Sequence, residues 1–292
     1  QTGQAFFWSY GVINPKDPEN LTGHADAFVS FGDFTQKFIV ENRFPIKDFS
    51  GSSESSAISI GPNYSDGEVM RGSIKNADHE VSWDLRMQCD WSFNAMSWST
   101  GIQHASNIYW YPVQSSARMS GQVKVDGVTY LLDRAPAYQD RNWGRSFPQW
   151  WTWIVSNQFE SSPGTVLVAG GGRPRVFENG PAIDGLSIGL LHHGREYSFR
   201  TNELAKIDMN ISFGTWEIDA RNSSGERVTI SAYAPASEFM DLAFVTPENE
   251  VFHDLEALRG AVTVRIFAKK HGKWALQDQI QSSSTGIEFG SH

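Results

Sequence analysis

One cysteine, Cys89, stands among 292 residues, which excludes an internal disulfide and a thiolate metal cluster. Charge is also scarce. Charged residues make up 20% of the chain and leave a net charge of −9, with a pI near 5.4. An acidic surface repels phosphate backbones and anionic lipid, so no nucleic-acid partner is expected. No apolar run approaches the ~20 residues that span a bilayer as a helix, so no membrane span is expected. The eight histidines are dispersed. Their one adjacent pair, His192-His193, should point to opposite faces of a strand, and neither His-x-His nor His-Glu-x-x-His occurs, so no metal is expected. Gly-x-Ser-x-Gly is missing too, which removes the nucleophile elbow of a serine hydrolase. Gly170, Gly171 and Gly172 in "AGGGRPR" are not followed by Gly-Lys-Ser/Thr. They read as a turn or bulge beside a bound ligand rather than a phosphate cradle.

Helical spacing is rare as well. "PASEFMDLAF" (235–244) and "DLEALRG" (254–260) each allow a turn or two of helix. Period-2 patterning dominates instead, in "EVMRGSI" (68–74), "EVSWDLRMQ" (80–88), "NIYWYPV" (107–113) and "TVLVAGG" (165–171). Turns are expected at Asp126-Gly127, His193-Gly194, Ser224-Gly225 and His271-Gly272, pairs that tolerate the positive φ of a tight hairpin. Many short strands at this spacing describe sandwiches or closed barrels. The hairpins fall into groups before residue 133 and after 165, with "DRAPA" (133–137) as the joining loop. The expectation is therefore all-β, with two tandem β-barrel or sandwich domains, 1–136 and 137–292, and few short helices.

What the chain has in plenty is aromatic rings, 19 Phe and 11 Trp. They concentrate in "AYQDRNWGRSFPQWWTWIVSNQF" (137–159). On a strand, Tyr138, Asp140 and Asn142 share one face, opposite Gln139, Arg141 and Trp143. A carboxylate among aromatic rings is desolvated, which raises its pKa and lets it act as a neutral acid. The other reading pairs Asp140 with Arg141 or Arg145 as a staple. Trp151 and Trp153 share strand parity. A second group, Trp91, Phe93, Trp98, Tyr109, Trp110 and Tyr111, offers further walls for an apolar ligand or core packing. His104 is a candidate base. Sequons at Asn20, Asn63, Asn210 and Asn222, with a start at Gln1, lead to the expectation of a glycosylated protein of the secretory pathway.

"VDGVTYLLDRAPAYQDRNWG" followed by "FPQWWTWIVSNQF" resembles the central signature of the tocopherol cyclase and carotenoid 1,2-hydratase superfamily. Tyr138, Asp140, Asn142, Trp143 and Gly144 match it position by position, and Phe147, Pro148, Trp151 and Trp153 continue the match. The resemblance implies two lipocalin-like β domains, an architecture shared with fungal Diels–Alderases. Arg141 departs from the pattern, since the hydratases commonly carry His there, and Arg is no proton shuttle. The activity implied first is a cofactor-free pericyclase or cyclase of secondary metabolism. It would act on an apolar terpenoid or polyketide, with a dehydration to a quinone-methide-type partner as a further step. Tyr138, Asp140, Arg141 and His104 would be catalytic. Trp98, Tyr109, Tyr111, Asn142, Trp143, Trp151, Trp153 and Asn157 would bind substrate. The alternatives are an acid-catalysed hydratase or chromanol-type cyclase using Asp140, a lipophile carrier and, more remotely, a lectin. Oligomeric state is left open.

Overall fold

The computed structural model describes residues 3–291 except positions 18, 20, 22, 53–55, 103–104 and 178–179. Among the described residues there is no α-helix, and four short 3-10 segments interrupt the strands. The all-β expectation holds. Two compact units divide the chain, 1–90 with 117–137 and 243–252, and 91–116 with 138–242 and 253–292.

In the first unit, β1 (Phe6–Ile13), β2 (Asp26–Asp33) and β3 (Phe38–Phe44) form one antiparallel sheet. A second sheet runs from β4 (Phe49–Gly51) through β5 (Ile58–Ile60), β6 (Asn63–Ser65), β7 (Val69–Lys75), β8 (Glu80–Trp91) and β9 (Ile108–Val125) to β10 (Val128–Gly144). Alternation sends Val29, Phe31, Val40, Trp83, Leu85 and Val123 into one core, against which Trp8 and Tyr10 pack. Asp126 and Gly127 take φ of 49° and 85°, the geometry expected of the β9–β10 hairpin.

The second unit is built on β11 (Trp150–Ser156), β12 (Val166–Gly172), β13 (Gly185–His192), β14 (Arg195–Arg200), β15 (Lys206–Ser212), β16 (Thr215–Arg221) and β17 (Glu226–Tyr233). The two-residue strand β18 (Met240–Asp241) and the long β20 (Val251–Lys270) and β21 (Lys273–Ser291) complete it, while β19 (Phe244–Val245), paired with Val251 and Phe252 at the start of β20, falls in the first unit. The sheet order is β14-β13-β12-β11-β21-β20-β17-β16-β15. Ile154, Leu167, Ile188, Phe199, Trp216, Ile230, Val264 and Ile287 form its main core.

The structure departs from three sequence expectations. "DRAPA" is no loop, because pairing with β9 carries β10 straight through it, with Arg134 alone at a positive φ of 50°. The chain therefore passes between the units five times, within β8, β9, β10 and β20 and between β18 and β19, rather than at a single linker. "DLEALRG" is no helix but part of β20, and "PASEFMDLAF" holds one 3-10 turn, Ala236–Glu238, with the short strands β18 and β19. The helix-forming residues of "DLEALRG" are overridden by the ladder to β21, a tertiary pairing that outweighs local propensity.

Candidate active site

The site begins with register inside the second unit. Trp153 of β11 pairs with Glu288 of β21, which pairs with Glu256 of β20. One step along, Trp151 pairs with Gly290 and Gly290 with Asp254. Directly opposed residues of antiparallel strands share a face. Two tryptophans, a glycine and three carboxyls therefore occupy one face, while Ile154, Ala257 and Ile287 face the main core behind it.

Glycines make room for the rings. A Cβ at Gly290 would fall inside the Trp151 indole, and one at Gly286 inside that of Trp153. At Gly170 of β12 it would lie 2.7 Å from Trp110, and at Gly189 of β13 2.6 Å from Phe93. Each ring lies flat over a bare backbone position, the close approach that glycine within a strand marks. The "AGGG" stretch is thus strand β12 and a platform for Trp110, not the turn or bulge expected of it. Phe93, Ala95, Trp110, Tyr138 and Leu258 close over this face together with Trp153, Val155 and Val168.

Asp140 joins the group from β10. Trp110 Nε1 donates to its Oδ2 at 2.8 Å, and the Tyr138 hydroxyl donates to the same oxygen at 3.0 Å. The Tyr138 ring meets Trp153 at a centroid distance of 5.2 Å. Burial raises the Asp140 carboxyl above the ordinary range although both donors pull it down. Burial and the neighbouring Asp140 hold the Tyr138 phenol well above its own range, so it stays a donor.

Asp254 and Glu256 are 7% and 5% exposed. Burial raises Asp254, Glu256 and Glu288 well above ordinary carboxylates. Repulsion adds to it: Glu256 acts on Asp254, Glu288 and Asp140 act on Glu256, and Asp254 and Asp140 act on Glu288. Asp254 and Glu288 share a hydrogen bond that Trp151 also reaches, and Asp254 Oδ1 is buried without a partner. A bond between two carboxyls requires a proton on one of them. Like charges so placed do not both ionise near neutral pH.

Of the residues singled out in sequence, the structure brings Tyr138, Asp140, Trp151 and Trp153 together. Arg141 is half-buried, and burial lowers its guanidinium. Asn142 is exposed, and Trp143, 48% exposed, stacks on Tyr109 at 5.5 Å. The Tyr109 hydroxyl donates to Ile102 O at 3.1 Å, and Tyr111 is half-buried on the same parity, opposite Trp110. Trp98 is exposed, with Nε1 donating to Asn202 O at 3.3 Å, and Asn157 is half-buried just past β11. His104 and Asn20 lie outside the described residues. Asn63 is fully buried, donating to Ile60 O and accepting from Ser73 N, so it is closed to a glycan. The Asn222 amide donates to Ser198 O and Glu226 Oε2, while Asn210 is exposed on β15. His192 and His193 do not diverge. His193 turns at φ 50° and its ring centroid lies 4.0 Å from that of His192. Of the residues missed, Asp254 and Glu256 left one signal, the period-2 placement of acids among apolar residues in "FHDLEAL", and Glu288 left none.

Comparison with known proteins places this architecture. Residues 63–291 match the model of the tocopherol cyclase-like family, and the chain belongs to that family. The chloroplastic tocopherol cyclase of Zea mays is 27% identical over 118 residues, which cover 40% of this chain and 25% of that protein. The match thus spans a quarter of that relative's length. Kievitone hydratase from Nectria haematococca superposes with a TM-score of 0.56 at 14% identity, covering 99% of this chain and 84% of that one. The fold is shared, and it is lipocalin-like.

Proposed function

We propose that this protein is an acid-catalysed cyclase or hydratase acting on an apolar, alkene-bearing small molecule of the prenylated-phenol class. One observation carries the reading: four carboxyl groups gather on a tryptophan-lined face, where burial raises each pKa and so favours the protonated form. Asp140 is the proton donor. Trp110 and Tyr138 both occupy Oδ2, so the acidic proton belongs on Oδ1. As it leaves, the two donors stabilise the carboxylate that forms, a gain concentrated in the transition state. The alkene π pair forms the new C–H bond and leaves a tertiary carbocation, which the indole faces of Trp110, Trp151 and Trp153 stabilise by cation–π attraction. A hydroxyl of the substrate closes a C–O bond in a cyclase, and water does so in a hydratase. The proton released returns to Asp140, and no cofactor is consumed.

The pericyclic alternative requires shaped walls and a few donors but makes no use of protonated carboxyls. Turnover of a prenylated hydroquinone in D2O separates the two. Acid catalysis places one solvent deuteron on carbon in the product. Ring formation without carbon-bound deuterium would transfer the reading to a pericyclase. Tight binding without product would leave a carrier.

A further inference from the structure

The tip of the β13–β14 hairpin carries a second constellation that the proposed chemistry does not use. His192 ends β13 and is 5% exposed. Its Nδ1 lies 2.9 Å from Thr165 Oγ1 and 3.4 Å from Ser162 Oγ, and those two hydroxyls are 2.8 Å apart. Its Nε2 lies 3.0 Å from Asp278 Oδ2. His193, at φ 50° and followed by Gly194 at 73°, folds back so that its Nε2 is 3.9 Å from the same oxygen. Asp278 Oδ1 is occupied by the Gln279 N–H at 2.7 Å, which fixes Oδ2 toward the two rings. A register shift opposite Ile266 and Phe267 adjoins Asp278 on β21, and bulges of this kind re-aim side chains.

We infer that His192, His193 and Asp278 form a binding site for a divalent transition cation of the zinc type. The three donor atoms lie within 4.8 Å of one another. A tetrahedral ion at about 2.0–2.1 Å from each ligand needs them roughly 3.3 Å apart, a closure within reach of a small rotation of the exposed His193 ring. Two imidazoles and a carboxylate are the ligand set of such ions, with the fourth position left to water. The Thr165 hydroxyl serves either tautomer of His192. It donates to Nδ1 when Nε2–H bonds Asp278, and it accepts from Nδ1–H when the Nε2 lone pair is given to a metal. An outer partner of this kind orients a metal-binding histidine. The ion would tie the hairpin tip to β21.

The test uses the full chain without a polyhistidine tag, stripped with EDTA and titrated with Zn2+ by calorimetry and with Co2+ by visible absorption. One equivalent of micromolar or tighter Zn2+, an intense tetrahedral Co2+ spectrum and a zinc-dependent rise in melting temperature are expected. His193→Ala lies on an exposed side chain and should keep the far-UV spectrum. It should weaken zinc binding at least tenfold and abolish the melting shift, as should Asp278→Asn, whereas Thr165→Val should weaken it by roughly tenfold. No saturable equivalent in the wild-type chain, or binding unchanged in both His193→Ala and Asp278→Asn, overturns the site.

Discussion

The two faces of β11, β20 and β21 carry opposite chemistry. On one face Ile154, Ala257 and Ile287 join a core of aliphatic side chains. On the other, one residue away along each strand, sit Trp153, Glu256 and Glu288. Burial of a large aliphatic side chain contributes roughly 1.5–3 kcal/mol, whereas a buried carboxyl costs free energy unless it keeps a proton or a partner. The aliphatic face therefore stabilises the sheet, and the carboxyl face draws on that stability to hold acids whose burial favours the protonated form, which the proposed chemistry would use. Alternation alone separates the two tasks, so each is open to separate attack.

The largest effect expected is on proton donation. Asp140→Asn keeps shape and the bonds from Trp110 and Tyr138 but removes the acidic proton. Turnover of the prenylated hydroquinone should fall by roughly 10²–10⁴-fold with the circular dichroism unchanged. Retention of most of the rate would move the acid role to the Asp254–Glu288 pair or to no carboxyl at all. Next comes Gly290→Ala, whose methyl would occupy the space of the Trp151 ring. Forcing that indole away should destabilise the protein by about 1–3 kcal/mol. It should also detach Trp151 from Asp254, visible as altered tryptophan emission together with loss of turnover.

Glu288→Gln should act in the opposite direction on stability. A carboxyl whose folded pKa is raised binds its proton more tightly folded than unfolded. Its contribution is fully present below the ordinary carboxylate range and is lost as pH rises through the raised value. Burial and the Asp254 charge raise Glu288 in this sense, so the variant should gain stability at about pH 8 and lose that advantage near about pH 4. A gain on the order of 1 kcal/mol corresponds to roughly 2–4 °C in melting temperature for a chain of this size. A variant less stable at pH 8 than the wild type would show that Glu288 is a paired anion, and the two-face contrast would fail at its centre.

One half of this face is legible in the sequence and the other is not. Parity along "AYQDRNWG" placed Tyr138 with Asp140, and parity along "QWWTWIV" placed Trp151 with Trp153, because both relations are local. Asp254 and Glu256 were hidden by "DLEALRG", whose Leu, Glu and Ala are strong helix formers at helical spacing. Glu288, in "TGIEFGSH", has no meaning until the register with β11 and β20 is known, and such non-local pairing is not written in a short window. Glycines gave the one remote clue. Gly170, Gly286 and Gly290 sit inside strands, where glycine signals the close approach of another group, but only the structure names the indoles that approach. His193 departs from parity for a related reason: alternation describes a strand, and a positive φ at the turn suspends it.

The smallest effect expected tests whether the faces are independent. Ile287→Val removes one methylene from the aliphatic face, beside Glu288 in sequence but turned away from it. The change should cost about 0.5–1.5 kcal/mol. It should leave the pH dependence of turnover where it was, with the rate declining as pH rises through the raised carboxyl pKa and the acid loses its proton. Backbone shifts in a packed sheet travel to both faces, so coupling is physically available and its absence is informative. A displaced pH profile in Ile287→Val would mean that packing on one face sets proton affinity on the other. The aliphatic core would then be part of the acid's tuning rather than its support.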